Sequence, residues 1–218
     1  MQFLYHKYGG DTIIELNGED LNYIIKVKRK KVGDKLYVRD ESTQNLYIYN
    51  IENIKRSKAI LTLDSSSVKS NISKNELILG WCKIDIKVLE KTLPFLNELG
   101  VKYLFLIDCE YSQKNFIPDI QRLERILKSS NMQCGRSDLM KIDEFNSLEE
   151  FYKNYPESIL IHFSNQTLDT KIDKCVVVGP EGGFSQKELK LYENRHKGLN
   201  KAFILRSQTA ITSVASLY

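Results

Sequence analysis

A glycine-rich turn between a strand and a helix is the feature that most constrains the fold of this chain. Residues 176–188 are VVVGPEGGFSQKE. Three β-branched residues suit the interior of a sheet, and the turn after them places Gly179, Gly182 and Gly183 where a ligand can approach the main chain. A strand, a tight loop and a helix in this order favour a parallel α/β sheet, whose ligands bind beyond the carboxyl ends of the strands.

The flanks of this turn predict that it is rigid. Pro180 fixes one backbone dihedral, and Ser185 with Glu188 matches the capping box that begins a helix. We expect that helix to end near Gly198. Neither G-x-x-x-x-G-K-[ST] nor G-x-G-x-x-G occurs, so a phosphate loop of either type is excluded. A tight turn that binds no ligand remains the alternative.

Strands alternate with helical patterns through the second half of the chain, which favours a parallel sheet covered by helices. A polar strand-end loop near the carboxyl terminus, with Arg206 after a predicted strand at 202–205, would complete a ligand cleft with the glycine turn. The other predicted strands are 76–81, 101–107, 158–163 and 174–178, and the predicted helices are 84–99, ended by Gly100, 119–130 and the last segment of small residues.

The first part of the chain has a different pattern of predicted elements. Short alternating segments with close turns predict a small β-rich, barrel-like module. A polar, serine-rich stretch at 64–75 follows it and looks like a linker. The predicted strands of the module are 12–16, 35–39, 46–51 and 59–63.

Composition excludes several classes of protein. The 218 residues suffice for a core without staples, and four scattered cysteines without a C-x-x-C pair indicate reduced thiols and no zinc site. No signal peptide or apolar run long enough to span a bilayer occurs, so we expect a soluble, cytoplasmic protein. The net charge is +4, and residues 26–31 place five cations in six positions. This run suits phosphate binding or a solvated surface.

At this point the residues resemble a known family. GPEGGFS-x-x-E at 179–188 and ILR-x-x-TA at 204–210 are similar to motifs of the ribosomal RNA small subunit methyltransferase E family, in the SPOUT superfamily. Segments 23–34, 98–101 (ELGV) and 133–136 (QCGR) also resemble that family's motifs, so the likeness covers the whole chain.

The resemblance implies a fold and an activity. The fold would be an α/β SPOUT methyltransferase domain with a trefoil knot at 75–218, joined by a linker at 69–74 to an N-terminal PUA-like β-barrel at 1–68. The activity would be methylation of uridine N3 in 16S ribosomal RNA with S-adenosylmethionine as donor. It also implies a homodimer whose cleft uses both chains, acting on 16S ribosomal RNA or the small ribosomal subunit without metal or membrane.

The resemblance also assigns roles to residues of this chain. Arg136 is the first candidate for stabilising the uracil anion and Arg206 the second, while a contact to phosphate or across a dimer is an alternative for Arg136. For the proton acceptor, His162 and Glu181 are candidates, with a structural role favoured for Glu181. RNA would contact Lys26, Arg29, Lys30, Lys31 and Arg136. The donor would contact Gly179, Pro180, Glu181, Gly182, Gly183, Leu199, Ile204, Leu205, Arg206, Thr209 and Ala210.

Several positions depart from the family pattern and leave two other functions open. They concern the presumed RNA cleft more than the donor loop. One alternative is a non-catalytic RNA-binding or ribosome-assembly factor on the knotted scaffold. The other is a SPOUT methyltransferase that acts at a different RNA position, such as a ribose of transfer RNA. The departures are Tyr23, Lys28, Phe95, Tyr111, Met132 and Gln208.

Overall fold

The chain forms two compact units in a computed structural model that describes residues 1–40, 45–74, 76–114 and 116–218. The first unit contains Met1–Ile72 and Asn131–Asp138, and the second contains Ser73–Ser130 and Leu139–Tyr218. The return of residues 131–138 to the first unit is not visible in the sequence, where the helix was predicted to end at residue 130, whereas the observed helix continues to Cys134.

The first unit is built on one five-stranded sheet with the strand order β1-β3-β4-β5-β2. β1 pairs in parallel with β3, and the other pairs are antiparallel. Register shifts in β4 after Ile48 and Ile51 mark irregularities that bend the sheet. The strands are β1 Leu4–Tyr5, β2 Ile13–Asn17, β3 Lys35–Arg39, β4 Asn45–Ile54 and β5 Lys58–Val68.

Alternation of apolar and polar residues places one face of this sheet in a core. In β2, Ile14 and Leu16 are buried while their neighbours are exposed, the pattern of a half-buried strand. They pack with Tyr49 and Leu61 of the adjacent strands. The serine-rich stretch was wrongly predicted as linker over residues 64–68, which continue β5 because they pair with β4.

A short helical segment that the sequence pattern did not predict packs on this sheet. It consists of helix α1, Gly18–Asn22, and a π-helical turn, Tyr23–Val27. Leu21 and Ile24 anchor it in the core. The backbone leaves the turn through Arg29, which has a positive φ of 54°.

The second unit contains a six-stranded parallel sheet with the order β11-β9-β10-β6-β7-β8. The strands are β6 Ile78–Cys82, β7 Tyr103–Ile107, β8 Lys141–Phe145, β9 Ile159–Ile161, β10 Cys175–Val178 and β11 His196–Lys197. The helices are α2 Ile86–Glu98, α3 Ile120–Cys134, of which the last turn belongs to the first unit, α4 Leu148–Asn154, α5 Gln186–Leu191 and α6 Ser207–Ala215.

Both faces of this sheet are buried, which explains its continuous apolar strands. In β10, Val176 and Val178 belong to a core with α2, α3 and α6, and Val177 belongs to a second core with α4. Successive side chains of a strand point to opposite faces, so these two clusters cover the two sides. The predicted α/β class with a β-rich first unit is confirmed.

Three local predictions for this unit are wrong. The helix that begins at Ser185 ends at Leu191 rather than near Gly198, because Arg195 returns the chain to the sheet and β11 pairs with β9. Residues 202–205 form no strand, since they find no strand partner. Cys82 and Cys109, predicted to be reduced, form a disulfide across the ends of β6 and β7, where their Cα atoms lie 5.7 Å apart.

Candidate active site

The loop after β10 requires glycine at two positions for different reasons. A Cβ on Gly179 would lie 2.9 Å from Cε2 of Phe184, which is too close for an unshifted side chain. Gly183 has a φ of +72°, a conformation that other residues adopt at a cost, and a Cβ there would point into open space. At Gly183 the loop therefore presents its main chain to its surroundings, whereas Gly179 packs against the Phe184 ring.

The carboxyl end of the loop is fixed by the predicted capping box. The Ser185 hydroxyl accepts from the Glu188 backbone N–H at 3.3 Å, and Oε2 of Glu188 accepts from the Ser185 backbone N–H at 2.8 Å. Oε1 of Glu188 also accepts from the backbone N–H of Glu110 at 2.9 Å. One carboxylate thus holds both the start of α5 and the loop after β7.

A buried hydroxyl ties the glycine loop to the start of the last helix. Ser207 donates to the carbonyl oxygen of Gly179 at 2.5 Å and accepts from Nε1 of Trp81 at 2.8 Å. Trp81 is fully buried near the end of β6, and Ser207 is 5% exposed. This arrangement fixes the distance between the two loops that the sequence predicted to form opposite walls of a cleft.

These loops do enclose a cleft of about 980 Å³. It lies beyond the carboxyl ends of β9 and β10, as expected for an open parallel sheet. Its walls are residues 161–165, residues 178–184, residues 198–201 and residues 203–207, with Ala210. The volume is near the upper end of the roughly 300–1,000 Å³ that is typical of small-molecule sites.

The residues predicted to contact a methyl donor are gathered here, with one exception. Thr209 is exposed and does not line the cleft. Arg206 lines it with an exposed side chain at the start of α6. The lining residues from the predicted set are Gly179, Pro180, Glu181, Gly182, Gly183, Leu199, Ile204, Leu205, Arg206 and Ala210.

Two imidazoles lie close together, and one of them lines the cleft. His162 follows β9 and lines the cleft, and its ring centroid is 5.7 Å from that of His196 in β11. Burial, and secondarily the nearby His196, lower the pKa of His162 below its usual value of 6.5. His162 is therefore neutral at pH 7. Phe163 and Phe203 also line the cleft, with 73% and 84% of their surfaces exposed.

Arg136 lies in the first unit, while the cleft is lined by residues of the second. Its Nη2 pairs with Oδ2 of Asp138 at 2.7 Å, and its Nε donates to Oδ1 of the same carboxylate at 3.1 Å. The residue is 5% exposed. Its guanidinium is therefore engaged in a buried bidentate ion pair, which holds residues 136–138 together.

The basic cluster, residues 26–31, surrounds the end of the π-helical turn. Lys26, Arg29 and Lys31 are exposed and Lys30 is half-buried. Lys28 differs from these, because its Nζ donates to Oε1 of Gln2 at 2.7 Å and lies over the Tyr23 ring. The cluster belongs to the first unit.

Sequence patterns missed three contributors to this site. The bond from Trp81 to Ser207 joins residues 126 positions apart, so no local pattern contains it. The pairing of His162 with His196 depends on β11, which the sequence pattern assigned to a helix. The second bond of Glu188 reaches Glu110. The polar run 207–209 after an apolar segment was the one visible signal.

Across the described residues, no group of three or more His, Cys, Asp or Glu side chains is placed so that it could hold a metal ion. None of the helices described for this chain has the length and apolar character needed to cross a membrane.

Comparison with known families covers both units. Residues 70–218 match the model of an RNA methyltransferase domain, and residues 16–64 match that of an RNA methyltransferase PUA domain. A ribosomal RNA small subunit methyltransferase E from Helicobacter pylori is 34% identical over 223 residues, which cover 100% of this chain and 99% of the relative.

Solved structures share the fold. A ribosomal RNA small subunit methyltransferase E from Neisseria gonorrhoeae, bound to S-adenosylmethionine, superposes with a TM-score of 0.75 at 18% identity and covers 100% of this chain and 96% of its own. A methyltransferase from Legionella pneumophila with bound cofactor has a TM-score of 0.75 at 19% identity, with 99% and 95% covered. The domain matches, the full-length relative and the common fold together show that this chain belongs to the ribosomal RNA small subunit methyltransferase E family.

Proposed function

We propose that this protein transfers a methyl group from S-adenosylmethionine to N3 of a uridine in 16S ribosomal RNA. The observation that carries the proposal is the cleft of about 980 Å³, walled by the glycine loop and by residues 198–207, in a chain of this family. The relatives' names supply the substrate class, and the resemblance supplies the position on the base.

The lining of the cleft fits the donor. Gly183 would place a Cβ in open space, so the main chain of the loop is accessible to a ligand that needs peptide N–H and C=O partners. S-adenosylmethionine carries a cationic sulfonium and no phosphate. It therefore does not need a Walker loop, which binds phosphates and is absent from this lining. We assign the donor to the glycine loop, Leu199, Leu205 and Ala210. When bound, it supplies an electrophilic methyl group.

The residues of the chain then have to align the uracil base and stabilise the anion that it forms when N3 loses its proton. Uridine N3 carries a proton that must leave before or during attack. Alignment of two reactants contributes up to about 7–11 kcal/mol in favourable cases. A cation beside a uracil oxygen would add electrostatic stabilisation. We assign this role to Arg206, whose exposed side chain lines the cleft, ahead of Arg136, whose guanidinium is paired with Asp138.

RNA would also contact the first unit. We assign phosphate contacts to Lys26, Arg29, Lys30 and Lys31, because cations that follow one another along a turn, three exposed and Lys30 half-buried, can neutralise successive phosphates. Arg136 keeps a structural assignment in the same unit. We further propose that the protein works in the cytoplasm as a homodimer. Exposed apolar side chains on the second unit, including Phe95 (54%) and Leu217 (51%), are available for such an interface.

The proposed reaction is tested by mass spectrometry of 16S ribosomal RNA from cells with and without the gene. We expect one N3-methyluridine to disappear on deletion and to return with the wild-type gene. A copy with Arg206→Ala serves as the matched variant, and its product should restore less than a tenth of the modification while it still binds donor in calorimetry. An unchanged RNA after deletion would exclude the proposed reaction, and loss of a methyl group from a ribose would favour the other enzyme class.

A further inference from the structure

A second cavity lies wholly within the first unit and belongs to no part of the proposed donor site. It has a volume of about 440 Å³, within the roughly 300–1,000 Å³ typical of small-ligand sites. We call it the first-unit pocket. It is formed by α1, the π-helical turn, β1 and Met132. The lining residues are Leu4, Glu19, Asp20, Asn22, Tyr23, Lys26, Val27 and Met132.

The lining of this pocket suits a flat ring with a polar edge. Leu4, Val27 and Met132 provide apolar surface for the faces of a ring. Glu19 and Asp20 provide carboxylate oxygens, which only accept hydrogen bonds at neutral pH. A nucleobase combines two apolar faces with donors and acceptors along its edge, so it matches both kinds of surface.

Two polar groups of the pocket lack partners inside the protein. Among the residues that the structure describes, the Tyr23 hydroxyl is buried and makes no hydrogen bond. The Asp20 carboxylate receives no hydrogen bond from the described residues either. Burial raises the pKa of Asp20, an effect that the neighbouring His6 opposes. The buried Tyr23 hydroxyl has lost water without gaining a partner, and the half-buried Asp20 carboxylate keeps oxygens that can accept, so both favour a ligand with polar groups along its edge.

Cations next to the pocket favour a nucleic acid as the source of the ring. Lys26 lines the pocket, and Arg29 and Lys31 follow it with exposed side chains. A base in the pocket would therefore have phosphates next to positive charge. A free neutral metabolite would gain nothing from this cluster.

The donor pattern of the bases selects one of them. Guanine has two adjacent donors, N1–H and N2–H, that match both oxygens of one carboxylate. Adenine and cytosine each present one amino group beside an acceptor, and uracil presents one N–H between two carbonyl oxygens. We propose that the first-unit pocket binds an unpaired guanine of the RNA substrate, with the Asp20 carboxylate accepting from guanine N1 and N2. This rests on the proposed function in that RNA is the ligand.

The wild-type protein alone tests the base preference. Fluorescence anisotropy would compare oligouridines of about eight nucleotides that carry guanosine, inosine, adenosine or uridine at one central position, without methyl donor. We expect guanosine to tighten binding about tenfold over uridine, since a bidentate base contact is worth about 1–3 kcal/mol. Inosine lacks the N2 amino group and should keep only part of the gain. Equal affinity for all four, or a preference for adenosine, would overturn the proposal.

Variants test whether the preference comes from this pocket. Asp20→Asn replaces one acceptor with a donor, so it should abolish the guanosine preference and leave the affinity for all-uridine RNA within about twofold. Glu15→Gln is the matched control, because it removes an exposed carboxylate from β2 of the same unit, where it pairs with Lys58. It should keep the preference. Retention of the preference in Asp20→Asn, or its equal loss in Glu15→Gln, would contradict the assignment.

The readout keeps this inference separate from the proposed function. Binding is measured without donor and without turnover, so a guanosine preference can hold even if no uridine is methylated. Tyr23→Phe provides a second variant that removes the unpartnered hydroxyl without changing charge. Tyr23→Phe should reduce the guanosine preference only in part. If both Tyr23→Phe and Asp20→Asn kept the full preference of the wild-type protein, the guanine would bind outside this pocket.

Discussion

A single hydroxyl, that of Ser207, sets the separation of the two walls of the donor cleft. It donates to the Gly179 carbonyl and accepts from the Trp81 indole, so both of its hydrogen-bonding functions are used. Each partner is buried or half-buried, and a buried polar group that loses its partner costs about 1–3 kcal/mol. The glycine loop can offer its main chain to a ligand because residues outside the loop hold it in place.

Ser207→Ala should weaken donor binding because it removes both bonds at once. We expect the affinity for S-adenosylmethionine to fall about tenfold in calorimetry and the free energy of unfolding to fall by about 1–3 kcal/mol. Trp81→Phe is the control: it removes the indole N–H together with part of a buried ring, which lowers stability, but it leaves the bond from Ser207 to Gly179. Its donor affinity should stay within about threefold of wild type. Equal losses in both variants would mean that the bond to Gly179 has no special role.

His162 predicts a pH dependence of donor binding. Its pKa is lowered below 6.5, so the ring is neutral at pH 7 and gains charge only as the pH falls through that lowered pKa. A protonated His162 would repel the cationic sulfonium by about 1 kcal/mol in a site open to water. The affinity for S-adenosylmethionine should therefore be constant above pH 7 and fall roughly fivefold on acidification.

The control for this effect is S-adenosylhomocysteine, which lacks the sulfonium charge and should bind without that step. His162→Gln should remove the step for the charged donor, and His196→Gln should move it to higher pH by removing a neighbour that disfavours protonation. The other charged residues that line the cleft are Glu181, Lys201 and Arg206, and they are the same in all of these measurements. A step of the same size with S-adenosylhomocysteine would assign the titration to another group.

Elements with local signals could be predicted from the sequence, and elements defined by their partners could not. The capping box at Ser185 and the terminal helix α6 follow from residues three or four positions apart. β3 has the predicted bounds, Lys35–Arg39. The segment 202–205 is as apolar as a strand but pairs with none. β8 and α4 escaped prediction because their apolar residues are few. β8 is defined by its pairing with β7 and has only half-buried or exposed residues, whereas α4 buries Leu148 and Phe151.

Glu188 connects two elements, and its replacement should cost more than the loss of a cap. Glu188→Ala removes the acceptor for the backbone N–H groups of both Ser185 and Glu110, so we expect a loss of about 2 kcal/mol in urea denaturation. Glu188→Gln keeps one acceptor oxygen and should lose about half of that. Glu193→Ala, an exposed position just after α5, is the control and should change stability by less than about 0.5 kcal/mol. If Glu188→Ala lowered the free energy of unfolding no more than Ser185→Ala does, the bond to Glu110 would make no contribution to stability.

At the scale of the whole molecule, the sequence predicted a donor cleft and a basic RNA-binding region, but it gave no signal for the unit to which Arg136 belongs. The donor loops carry their own signals in glycine and polar residues at strand ends. Arg136 carries only a charge, and in the structure it pairs with Asp138 within the first unit. The boundary at residues 69–74 likewise could not reveal that residues 131–138 rejoin that unit. Such contacts depend on chain segments far apart in sequence.

The division of charge and cleft between units predicts that RNA binding and donor binding can be changed separately. Replacing Arg29, Lys30 and Lys31 by Gln should lower the slope of log affinity against log salt by up to about 2, since each phosphate contact to a single strand contributes about 0.7. Donor affinity should not change, because the cleft is lined by the second unit alone.

The matched control replaces three exposed lysines of the second unit by Gln, which removes the same charge from the chain. Lys91, Lys171 and Lys190 meet this requirement. Filter binding between about 50 and 200 mM salt should show an unchanged slope for this control, because slope follows the number of phosphates contacted rather than net charge. If both triple variants flattened the slope equally, the net charge of the protein would account for RNA affinity. Residues 26–31 would then make no specific contact with the RNA phosphates.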